Sequence, residues 1–103
     1  MSRPHTPKEM RERFLNYTRA IVDYWEREGG LSERVRMEGL VFSMLIMLDG
    51  EAVGIPAFNL VPAPHPLDRE EHRLLDENWW PDDGTPMNSG VALHEEWCAR
   101  NKK

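Results

Sequence analysis

The chain is poor in the residues that would place it in several large protein classes. It has one cysteine, Cys98, among 103 residues, so no intrachain disulfide can brace it, and a reducing, cytoplasmic setting is expected. It has no long apolar run. The longest apolar run without a charge is 39–48, about half of the roughly 20 residues that a membrane-spanning helix needs. The glycines at 29, 30, 39, 50, 54, 84 and 90 form neither GxGxxG nor GxxxxGK[ST], which leaves nucleotide binding without support. Positive charge is also short: 13 Lys and Arg stand against 18 Asp and Glu, a net of -5. That balance argues against direct nucleic-acid binding. Residues 1–13 are polar and charged, unlike a secretory leader.

What is present suffices for a single small globular domain over 1–103, with hydrophobic residues at 40 % of the chain. The charge is unevenly spread. Residues 66–83 hold seven acids (Asp68, Glu70, Glu71, Asp76, Glu77, Asp82, Asp83) and two bases, Arg69 and Arg73, a net of -5. Residues 1–65 come to -1 and residues 84–103 to +1. The ordinary meaning of such a run is a solvated helix face and loop. The functional meaning is an acidic patch that meets a basic partner by electrostatic steering.

Local signals divide the chain into elements. Thr6-Pro7-Lys8-Glu9 has the form of a capping box with proline at the first helical position. Phe14, Thr18, Ile21, Val22 and Trp25 follow at helical spacing, and Gly29-Gly30 supplies a stop. A helix over 7–28 is expected, with Glu9 and Arg13 able to pair across one turn. Ser32 can cap a second helix over 32–49, on which Met37, Leu40, Val41, Met44, Leu45 and Leu48 form one stripe. A buried strand would read the same over 41–48, but the length favours a helix. Residues 57–61 read as a short strand, and prolines 62, 64 and 66 turn the following chain into a stiff connection. Pro66 can open a helix over 66–77. Pro81-Asp82-Asp83-Gly84 is turn chemistry. Asn88 or Ser89 can cap a last helix over 90–101. The expected fold class is α+β, three to four helices with a short β element, with a mainly α domain as the alternative.

Two constellations have chemical meaning. The first is His65, Asp68 and His72, with His94 and Glu95 further on. Asp68 and His72 are four apart and share a helix face. Imidazole with carboxylate suits a divalent metal, and two His with one carboxylate can hold iron or zinc. The spacing is not His-Glu-x-x-His, and helix capping or surface placement explains the same histidines. A Cys98–His94 pair four apart is the only candidate for nucleophilic chemistry, and no oxyanion site accompanies it. The second constellation is Trp79-Trp80-Pro81. Two adjacent tryptophans cannot both face inward on a regular element. Beside acids they suit a protein–protein hot spot, or else they cover the edge of a small core. Met37, Met44 and Met47 read as core filling.

The order of segments resembles a group of short, uncharacterised bacterial and phage proteins. The residues that carry the resemblance are Glu38-Gly39-Leu40-Val41-Phe42-Ser43, Leu48-Asp49-Gly50, Pro56-Ala57-Phe58 and Pro64-His65-Pro66-Leu67-Asp68. Glu77-Asn78-Trp79-Trp80-Pro81 and Leu93-His94-Glu95 continue it. The resemblance implies a mobile-element or bacterial setting and assigns no catalytic residue.

The sequence therefore points to a non-enzymatic interaction or inhibitor protein. Its binding residues are Glu70, Glu71, Trp79, Trp80, Asp82 and Asp83, and the partner is a protein, in one version a basic nucleic-acid-binding protein met by an anti-CRISPR-like inhibitor. The alternative is a small metal-binding protein or metal-dependent enzyme with a divalent ion on His65, Asp68, His72 and His94. Self-association through the apolar 37–48 segment, a homodimer, is compatible with either.

Overall fold

The computed structural model describes residues 2–101. They form four helices: α1 (Pro7–Arg27), α2 (Glu33–Leu48), α3 (Asp68–Leu74) and α4 (Leu93–Asn101). Among the described residues there is no strand, so the α+β expectation is corrected to all-α. Residues 57–61 fail to pair as a strand for a physical reason. Phe58 donates its N–H to the Leu48 carbonyl at 3.0 Å, while Leu60 donates to the side chain of Asn88 at 2.9 Å. These two donors, which would serve one neighbouring strand, thus go to unrelated partners, and Pro56 and Pro62 have none to give.

The chain divides into two compact units. Asn59–Ala92 is one, and the rest of the chain is the other. In the larger unit, α1 starts on the expected capping box. Thr6 Oγ1 accepts from the Glu9 N–H at 3.1 Å, and the Glu9 carboxylate accepts from the Thr6 N–H at 2.8 Å. Glu9 does not pair with Arg13. Its two oxygens take the Arg3 guanidinium at 2.7 and 2.9 Å, and first that contact, then the Thr6 N–H, holds the carboxyl down to about 2. Ser32 caps α2 by accepting from the Val35 N–H.

A five-residue turn returns α2 along α1. Trp25 of α1 lies flat against Gly39 and donates its indole N–H to Ser43 Oγ at 2.9 Å. A Cβ at position 39 would stand 2.5 Å from the Trp25 ring. Met47 is wholly buried and centres a cluster with Ala52 and Ile55, onto which Phe14, Tyr17, Met44, Leu48 and Phe58 pack. Phe14 meets Phe58 edge to face at 5.7 Å. Met47 and Met44 fill the core as expected. Met37 does not, being 60 % exposed. Gly50, with φ +88°, turns the chain out of α2 where a Cβ would meet that of Ala57 at 2.7 Å, so the turn requires glycine twice over, for its backbone conformation and for space.

In the smaller unit the incoming and outgoing chains are tied together. Met87 donates to the Leu60 carbonyl at 2.8 Å, and Asn88 takes the Leu60 N–H. Helix α3 is shorter than the expected 66–77. It ends where Asp76 adopts φ +56°. Asp76 then donates to the Arg73 carbonyl at 3.1 Å and Glu77 to the His72 carbonyl at 2.8 Å. This is the paired closure usual for a left-handed residue just past a helix end.

Candidate functional site

The division into units sorts the charge. Asn59–Ala92 holds seven acids and two bases, a net of -5, and the remainder of the chain holds eleven of each. The whole charge excess of the protein therefore belongs to the smaller unit. Both of its bases are engaged within it. Arg69 pairs with Asp82 at 2.7 Å, and its guanidinium lies 5.4 Å from the ring centre of Trp79. Arg73 pairs with Glu70, three residues earlier. Arg69 thus fixes one tryptophan and one acid of the loop to α3.

Its neighbour one turn on fixes the other tryptophan. The His72 ring meets Trp80 edge-on at 4.7 Å. His72 Nδ1 is shut off from solvent, has no hydrogen-bond partner and stands 3.5 Å from a Glu77 oxygen. Trp79 and Trp80 are nevertheless 43 % and 53 % exposed. Neither is a core residue; each lies with one side on α3 and the other in water. Asp83 accepts from the Thr85 N–H at 3.0 Å, and that bond holds its carboxyl below the usual range. Glu71 stands exposed on α3.

The four residues expected to bind metal have other tasks. His65 donates its N–H to Asp68 Oδ2 at 2.6 Å, and its ring Nδ1 accepts from the Leu67 N–H at 3.1 Å. Both side chains are spent on starting α3. Asp68, His65 and Trp80 line a shallow groove of about 310 Å³ with Pro62 and Pro64. His72 meets Trp80 edge-on, and His94 belongs to the other unit. Among the described residues, no three His, Cys, Asp or Glu side chains converge as a metal ion would need.

His94 instead partners Asp49, the last residue of the helix expected over 32–49. The Asp49 carboxylate accepts from the backbone N–H groups of Leu93 and His94 at 2.8 and 2.9 Å and lies 2.6 Å from His94 Nδ1. It therefore caps α4 from 44 residues before Leu93, in place of Asn88 or Ser89; Asn88 is occupied with Leu60. Burial pushes the Asp49 carboxyl up, but the hydrogen bonds from His94 and Leu93 outweigh it and the net shift is downward. The bond to Asp49 raises the His94 imidazole against the opposing effect of burial, with Glu51 adding to the rise. His94 Nε2 lies 3.5 Å from Glu51, and Phe42 stands edge-on to the ring at 5.8 Å. Both ring nitrogens face carboxylates. The geometry joins α2 to α4. A sequence signal for it existed: a carboxylate at the C-terminal end of an apolar helix opposes that helix's own dipole, so it needs another partner.

No family model matches the chain, and no curated protein or solved structure matches it either. Among the described residues no helix is long and apolar enough to cross a membrane.

Proposed function

We propose that the protein is a non-enzymatic interaction protein that binds a basic protein surface through Asn59–Ala92. The observation that carries this reading is the coincidence of charge and aromatic presentation. The net charge of -5 and two half-exposed tryptophans belong to one compact unit, and Arg69 and His72 hold those tryptophans against α3. Held aromatics lose little conformational entropy on binding, which is what anchor residues at an interface require. Acids around them steer a positively charged partner. The concrete version is a cytoplasmic inhibitor from a phage or mobile element that occupies the basic nucleic-acid channel of a host nuclease.

The test is competition. The purified protein is added to a nuclease with an open basic channel, and displacement of labelled DNA is followed at low and high salt. Displacement is expected at low salt, weakened at high salt and lost when Glu70, Glu71, Asp82 and Asp83 are all changed to Lys. Equal displacement in both salts, with no effect of the charge reversal, would exclude the mechanism. Trp79→Ala with Trp80→Ala should weaken binding at either salt.

A further inference from the structure

Helix α3 (Asp68–Leu74) has two sides with different occupations. Arg69 and His72, three apart, carry the tryptophan loop. The other side carries Glu70, Glu71 and Leu74, and Leu67, the residue just before the helix, has helical backbone angles (φ -90°, ψ -4°) that continue the same line. At about 100° per residue, Leu67 and Leu74 fall within about 20° of one another, two turns apart. Glu70 and Glu71 flank that line, each about 50° to one side. No base stands on this strip: Arg69 is on the opposite side, and Arg73 lies at its edge, drawn to Glu70.

The two leucines are exposed, Leu67 to 57 % and Leu74 to 76 %. A single exposed leucine is ordinary. Two aligned at a seven-residue interval and bracketed by acids form a pattern that recurs where helices pair. Apolar residues a heptad apart form the seam, and charged residues on its flanks select the partner.

We propose that this strip of α3 is where the partner docks, and that the docking element is a basic amphipathic helix. Leu67 and Leu74 enter its apolar stripe, and Glu70 and Glu71 meet Lys or Arg on its borders. The choice of occupant follows from charge complementarity: the strip offers acids and no bases, in a unit of net -5. The inference rests on the reading of Asn59–Ala92 as the protein-binding unit, and it narrows the partner from a basic surface to a helix with both charge and an apolar face.

Two probes separate the inference from that reading. One is a synthetic amphipathic helix of Leu and Lys. The other is poly-lysine of the same charge, which lacks an apolar face. Each is labelled and titrated with the full chain at low salt, and anisotropy is followed. The Leu/Lys helix is expected to bind at least about tenfold tighter than poly-lysine. Leu67→Ser with Leu74→Ser should erase that preference and leave poly-lysine binding unchanged. Val53→Ser, at a fully exposed apolar position outside the unit, should change neither. The leucine sites are at the surface, so the double variant should keep its helical circular dichroism. Unchanged preference in that variant overturns the docking strip, while loss of both probes on charge reversal at Glu70, Glu71, Asp82 and Asp83 still upholds the wider reading. Failure of the wild type to bind either probe overturns both.

Discussion

Asp49 at the end of α2 and His94 at the start of α4 are 45 residues apart in sequence and joined by two contacts, one from the His94 backbone N–H and one from its ring. With the Leu93 N–H, the carboxylate takes three donors, and its side chain is only 5 % exposed. One residue thereby relieves the start of a helix of unpaired N–H groups, orients an imidazole and ties two helices together. Its negative charge lies at the unfavourable end of α2 and at the favourable end of α4.

Asp49→Ala should therefore cost more than an ordinary cap. It removes three hydrogen bonds to a charged acceptor and strands two part-buried N–H groups, a loss of about 2–4 kcal/mol. Urea unfolding of the two proteins measures it. Asp49→Asn, which keeps one acceptor oxygen, should fall between them.

The pH dependence of this pair has a defined sign. The folded imidazole of His94 is raised above its ordinary 6.5, so its contribution is complete below that value and lost as the pH climbs through the higher folded one. The folded Asp49 carboxyl is lowered from 3.8, so its contribution is complete above that value and lost as the pH falls through the lower folded one. The stability difference between wild type and His94→Gln should be greatest between these two ordinary values. It should shrink as the pH rises above 6.5, which thermal melts across a buffer series will read.

Gly39→Ala tests the contact between α1 and α2. Alanine is favoured over glycine inside a helix by about 1 kcal/mol, and at an open position the change would stabilise. Here the new methyl would fall 2.5 Å from the Trp25 ring, which the bond to Ser43 holds in place. Overpacking should win, with a net loss of about 1–3 kcal/mol and a shift in tryptophan emission.

Met47→Ala and Met37→Ala should differ sharply although both lie on α2. Met47 is wholly buried, so its truncation leaves a cavity and costs about 2–5 kcal/mol. Met37 is mostly in water and should cost less than about 0.5 kcal/mol. Chemical denaturation of both variants checks the contrast.

Asp76→Gly should stabilise the end of α3. Asp76 sits at φ +56°, a conformation that costs a side-chain-bearing residue about 1–2 kcal/mol and glycine very little. After the larger backbone entropy of unfolded glycine is subtracted, a gain of about 0.5–1 kcal/mol remains. Slower amide exchange at Glu77 would show it, since its N–H closes the helix on the His72 carbonyl.

The elements that sequence predicted well are those held by neighbours. Thr6 and Glu9, or Ser32 and Val35, exchange hydrogen bonds across three residues. Such bonds need no knowledge of the rest of the chain, so the starts of α1 and α2 were legible, as was the helical state of 33–48. The concentration of acids in 66–83 is likewise a property of composition. The misreadings concern residues whose partners are distant. A strand at 57–61 needed a second strand, and the chain supplies an Asn88 side chain instead. Asn88 and Ser89 have the right chemistry to cap α4, yet Asp49 does so because folding brings α2's end to it. Met37 and Met47 are chemically identical, and only the packing of Ala52 and Ile55 over one end of α2 buries one and leaves the other in water. Short-range hydrogen bonds are written in adjacent residue types; burial and long-range caps depend on which surfaces meet after the chain has closed its loops.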